Sequence, residues 1–169
     1  MTVVAQRMTA TLEGDEPDGG FVVFLIGMRI NAWWRIHRWL PVALAMGPML
    51  SRLFRHPELG LLGARTLVGL RGPTVVQYWR SSEHLVRFAR DTDSPHLEAW
   101  RRFNRRVGSN GAVGIWHETY VVPAGGYEAV YVNMPPTGLA AAGEFVPVGR
   151  RGETARERLA AEGRVPRRS

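Results

Sequence analysis

GLLGARTLVGLRGPTVVQYWR, residues 60–80, holds two apolar, β-branched runs separated at Leu70–Pro73. Gly and Pro there punctuate the run as a turn, so the stretch predicts two strands joined as a hairpin. Upstream, FVVFLIGMRIN (21–31) reads as a buried strand bounded by Gly20. Alternation puts Phe21, Val23, Leu25, Gly27, Arg29 and Asn31 on one face. The apolar Val22, Phe24, Ile26, Met28 and Ile30 take the other. Between strand and hairpin, residues 32–59 read as helix, broken or kinked near Pro41 and Pro48. Downstream, 81–92 is a helix with a Ser at its N-cap and Glu83 in the first turn. Residues 94–108 form another, with Ser94 as N-cap, Pro95 at its first position and Gly108 near its end. GIWHETYVVPAG (114–125) and YEAVYVNM (127–134) read as strands.

The order is β-α-β-β-α-α-β-β, close to the split βαββαβ pattern. It predicts an α+β fold, a ferredoxin-like antiparallel sheet with helices on one face. The bare face needs a cover, and strands this apolar point to a second copy of the chain. Residues 1–20 are polar and Gly-rich and read as a flexible leader. Residues 21–136 form the domain. Residues 137–169, Pro/Gly/Ala-rich and then charged, read as mobile, with helical character around Thr154–Ala161.

The 169 residues suffice for one domain with a core. There is no cysteine, which excludes disulfides, thiolate metal sites and cysteine nucleophiles and fits a reducing compartment. No secretory signal pattern opens the chain, and the apolar run from Trp39 to Leu50 is too short to span a bilayer. The expectation is a cytoplasmic protein without stable membrane insertion. All 22 basic residues are Arg. The net charge of +7 is uneven: residues 150–169, with seven Arg and three Glu, carry +4 of it. A nucleic-acid role would rest on that tail alone, and none is expected. No Gly-rich phosphate loop, GxSxG elbow or acidic cation cluster occurs, and His117-Glu118 lacks the second histidine of HExxH because residue 121 is Val.

FVVFLIGMRINAWW, HPELGLLGARTLVG, VVQYWRSSEHLVRFARD, PHLEAWRRFNRRVG and GIWHETYVVPAGGYEAVYVNMPP, taken in order over residues 21–136, resemble a monooxygenase-like family of the dimeric α+β barrel superfamily. That superfamily includes antibiotic-biosynthesis and haem-degrading monooxygenases. The resemblance implies a homodimer and an oxidoreductase acting on a hydrophobic small molecule. Haem-degrading members use an Asn at the end of the first strand, a Trp in the helix after the third and a His further along. Asn31 and His96 match those positions. Phe88 stands where the Trp would be, which argues against haem degradation. Haem-dependent dehydratases also use a His in a comparable fold.

His96, in DTDSPHLEAW (91–100), shares a helical stripe with Trp100, Phe103 and Val107. The helix N-terminus favours its neutral imidazole, able to ligate a metal or accept a proton. A satisfied core or cap histidine is the plainer reading. His117 is a second-choice site residue, sharing a strand face with Ile115, Thr119 and Val121. His84 reads as half-exposed, and packing accounts for His37 and His56. Arg29, on the strand face with Asn31, needs an acid such as Glu118 or Glu128, or else binds a substrate oxygen or a haem propionate. Trp79 is either core or a wall for a flat substrate. Trp33, Trp34 and Trp39 are expected to cover the sheet.

The expected site is a pocket between sheet and helices, with His96, His117, Arg29 and Asn31 as catalytic candidates and Phe88, Trp100 and Trp79 lining it. Without a cofactor, His96 or His117 serves as base and Arg29 or Asn31 holds the anion. With haem, His96 is the ligand. A haem-binding or dehydratase-like protein and a non-catalytic dimeric ligand-binding module are the alternatives.

Overall fold

The computed structural model describes residues 3–90 and 111–161. Within them the chain runs β1 (Val4–Thr11), β2 (Phe21–Ile30), α1 (Ile36–Arg55), β3 (Leu61–Gly69), β4 (Gly72–Trp79), α2 (Ser82–Arg90), β5 (Val113–Val122), β6 (Tyr131–Met134), α3 (Leu139–Ala142), β7 (Glu144–Pro147) and α4 (Ala155–Ala161). A four-stranded sheet has the order β3-β4-β2-β5 with every pairing antiparallel. This is the α+β arrangement expected of the split βαββαβ pattern, and α1 and α2 pack against one face of the sheet.

The alternation of β2 sets the two faces. Val22 joins Leu53 of α1, Leu61, Trp79 and Phe88 of α2 in one buried cluster. Met28 and Ile30 join Val113, with Trp39, Val42 and Ala43 of α1 packed on them. The stripe through Trp39, Val42, Ala43, Met49, Leu50 and Leu53 has helical spacing. It keeps α1 continuous through Pro41 and Pro48, so of the break or kink expected there no break occurs, because packing offsets the two missing amide donors. Of the three tryptophans expected to cover the sheet, Trp39 does so. Trp33 stands edge-on to it at 5.7 Å, and Trp34 is 78% exposed.

The opposite face departs from expectation. A second sheet of order β6-β1-β7 covers its end near Phe21. Residues 4–11, expected in a flexible leader, form the middle strand of that sheet. Ala10, Leu12, Leu139 and Ala140 bury Phe21, with Val23 and Tyr78 packed alongside. Residues 144–147, expected to be mobile, form β7, and two buried arginines anchor the segment beyond it. Arg151 donates to the Ala10 carbonyl at 2.5 Å and lies 4.8 Å over the Tyr127 ring. Arg158 pairs with Glu128 and donates to the Gly152 and Glu153 carbonyls at 3.1 and 3.0 Å. Helix α4 opens on a reciprocal capping box: the Glu157 amide donates to Thr154 Oγ1 at 3.2 Å, and the Thr154 amide to Glu157 Oε2 at 3.0 Å.

Candidate functional site

Two cross-strand rows define the helix side of the sheet. One runs Ala64, Gln77, Phe24, Thr119; the next runs Thr66, Val75, Ile26, His117. His117 is diagonal to Phe24, and their rings lie 5.7 Å apart at 37°. His117 and Thr119 are exposed, Phe24 is half-buried and Gln77 is buried. The strip thus descends from a polar edge on β5 across an aromatic ring to an enclosed amide on β4.

Gln77 was not singled out as a site residue in the sequence. It is 1% exposed, and its Oε1 accepts the Trp79 indole N–H at 2.9 Å. An indole nitrogen only donates, so this bond fixes the amide orientation and sends the NH2 group away from Trp79. That Nε2 is buried and, among the described residues, has no hydrogen-bond partner. Alternation placing a polar residue between Val75 and Trp79 on an apolar face is the sequence signal that marks it.

Phe88 and Trp79 fall together as expected, but as packed core, their rings 5.5 Å apart. Phe88 also lines an open cleft of about 860 Å³ beside α2. Glu58, Glu83, Arg87 and Arg90 line it too, with Leu59 and Val86, so its wall mixes charged and apolar side chains. His84, in the same cleft, is bound to Ser81 Oγ through Nδ1 at 2.9 Å and packs on Gly60, whose φ of +95° admits no side chain there without strain. Ser81 Oγ accepts the His84 amide, capping α2 as expected. His56 holds Glu58 at 2.8 Å, and this hydrogen bonding helps keep the Glu58 carboxyl below its usual range, after the larger effect of its own backbone.

Arg29 and Asn31 do not join this strip. They lie on the opposite face of β2, where Arg29 Nε donates to Asn31 Oδ1 at 3.1 Å and Asn31 Nδ2 donates to the Gly111 carbonyl at 2.9 Å. Neither expected acid meets Arg29: Glu128 holds Arg158, and Glu118 accepts the Tyr120 hydroxyl at 2.7 Å. Trp116 shares that face, lying so close over Gly27 that a β-carbon there would stand 2.5 Å from its ring. The same side holds Tyr78, and at the second sheet Tyr131; burial pushes both phenols above their ordinary range. His96 and Trp100 lie outside the described residues. Among the described residues, no group of three or more His, Asp or Glu could hold a metal ion.

A family model described as Monooxygenase af470-like matches residues 21–139. The chain belongs to that family. It is 32% identical over 154 residues to monooxygenase af470 of Aspergillus fumigatus, in a match covering 79% of this chain and 53% of that protein. The chain therefore spans about half the length of this curated relative. Among solved structures, aldoxime dehydratase OxdRE in complex with butyraldoxime superposes with a TM-score of 0.64 at 16% identity, over 83% of this chain and 41% of that one. That likeness concerns the fold. No described helix of this monooxygenase-like chain is long and apolar enough to cross a membrane.

Proposed function

We propose that the chain is a monooxygenase that binds a hydrophobic small molecule on the helix side of the four-stranded sheet, across Phe24. Family membership supports the reaction class. The observation that carries the location is the pairing of an exposed imidazole with an aromatic ring: His117 over Phe24 at 5.7 Å. An apolar, flat substrate gains from burial against Phe24 and the neighbouring apolar side chains, and its orientation comes from the few polar groups at the edges. The His117 ring makes no hydrogen bond among the described residues, so it is available as a proton acceptor.

The substrate reacts as its own reductant. His117 takes an acidic C–H proton, the resulting carbanion reduces O₂, and one oxygen atom enters the substrate while the other leaves as water. The overall change is CH₂ plus O₂ to C=O plus H₂O. A base within reach of that proton contributes about 10²–10⁴-fold. His96 remains a second proposed base. Arg29 and Asn31 are not assigned to the anion, because they face away from Phe24. The uncovered part of that opposite face is proposed to meet a second copy of the chain.

A haem-dependent reading rests on His96 alone. His96 lies outside the described residues, and no step is routed through haem. The testing experiment is oxygen uptake with a panel of fused-ring ketones and phenols bearing an acidic C–H, in the wild type and in His117→Gln. Stoichiometric O₂ consumption with ketone product, reduced at least 10²-fold in the variant, supports the proposal. Turnover unchanged in the variant removes His117 from it.

A further inference from the structure

We infer that the Gln77 carboxamide anchors an oxygen of the ligand: the NH2 group is the hydrogen-bond donor for a carbonyl or enolate oxygen on the hydrophobic molecule bound across Phe24. This deepens the proposed function and rests on its placement of the ligand on the helix side.

Four observations carry it. Gln77 is 1% exposed and sits in one cross-strand row with Phe24, its direct partner on β2. Its oxygen is committed to the Trp79 indole at 2.9 Å, so the amide cannot turn over without leaving both the indole and the carboxamide unpaired. Trp79 is itself 1% exposed and held against Phe88, so this orientation is fixed by packing. The two N–H donors of Nε2 then face an interior without a partner among the described residues. A buried amide donor left unpaired is costly, and natural structures retain such a group where a ligand or water completes it.

The required chemistry is an acceptor. Both free hydrogens on Nε2 donate, so a cation or a pure donor is excluded. An apolar ring system with a ketone, quinone or enolate oxygen has the right character: its body suits Phe24 and its oxygen suits Gln77. Such an oxygen also gains most from the donor as negative charge develops on it.

The test uses the full-length protein and a matched pair of probes, α-tetralone and tetralin, which differ by one carbonyl oxygen. Affinities are measured by Trp fluorescence for wild type, Gln77→Met and Gln77→Met/Trp79→Phe; the double variant also removes the indole donor that the single one leaves unpaired. The preference for tetralone over tetralin is expected to fall about five-fold in both variants, the weight of one hydrogen bond. Equal preference in wild type and variants, with both probes bound, overturns the inference and leaves the helix-side location intact. Absence of binding by either probe overturns the location and the inference together. Should the variants fail to fold, the wild type alone decides. A downfield shift of the Gln77 side-chain amide protons with tetralone but not with tetralin supports the inference, and identical spectra overturn it.

Discussion

Phe24 and His117 lie diagonally on adjacent strands with their rings 5.7 Å apart, on the face of the sheet opposite to the Arg29–Asn31 pair. Strand geometry alone separates these sequence-derived catalytic candidates, His117 on one face and Arg29 and Asn31 on the other. His117→Ala is therefore expected to reduce turnover, while Asn31→Ala leaves it within about two-fold. Steady-state oxygen uptake on one accepted substrate checks both; equal losses in the two variants would contradict the separation.

The Phe88 ring packs in the buried cluster beneath α2. Its contact with Trp79 lies in the cluster of Val22, Leu53 and Leu61. Phe88→Ala is expected to destabilise the fold by about 3–5 kcal/mol. Urea denaturation followed by Trp emission measures this directly, and a shift below about 1 kcal/mol would show that the site is not packed core.

Much of the sheet was legible in sequence because one period decided it. The uniform apolar face of β2 and the punctuated hairpin at residues 60–80 specify strands and their buried sides without reference to the rest of the chain. The second sheet was legible only in β6, which falls within the strand read at residues 127–134. In β1 the buried run is Met8-Thr9-Ala10, which breaks alternation, and β6 and β7 have four residues each. These strands exist through pairing with one another. Arg151 and Arg158 read as solvated charge, which is the usual fate of arginine; only the fold shows the carbonyls and the Glu128 carboxylate that receive them. Helix-forming residues around Pro41 and Pro48 gave the helix but not its continuity, which comes from packing on the sheet.

Breaking the buried pair of Arg158 and Glu128 leaves an uncompensated charge, and that outweighs the loss of the pair itself. Arg158→Ala is expected to cost about 3–5 kcal/mol. It should also expose residues 144–161 to rapid amide exchange, measured by mass spectrometry. Unchanged exchange there would mean that Arg158 does not hold the segment.

The phenols give a pH dependence with a definite sign. Burial, the largest influence, raises Tyr78 and Tyr131 above their ordinary value of 10.0. The folded state then keeps its phenolic protons where the unfolded chain loses them. Their contribution to stability is complete below pH 10 and declines as pH rises through the folded values. The urea midpoint of the wild type is expected to drop above pH 10, and Tyr78→Phe/Tyr131→Phe flattens that drop. The same slope in wild type and variant would assign it to other groups.

On the opposite face, Trp116 and Tyr120 are 37% and 52% exposed. A second copy seated there predicts a sedimentation mass of twice 18.9 kDa, returning to one chain in Trp116→Glu with the fold retained by circular dichroism. A monomeric wild type would contradict that partner.

The ligand is proposed to lie on the helix side of the four-stranded sheet. A ¹⁵N–¹H titration of the wild type with tetralin tests it most directly. Saturable shifts are expected at Phe24, Gln77, His117 and the Trp79 indole N–H, with Arg29, Trp116 and Tyr120 unmoved. Shifts confined to Arg29, Trp116 and Tyr120 would place the ligand on the other face and contradict it.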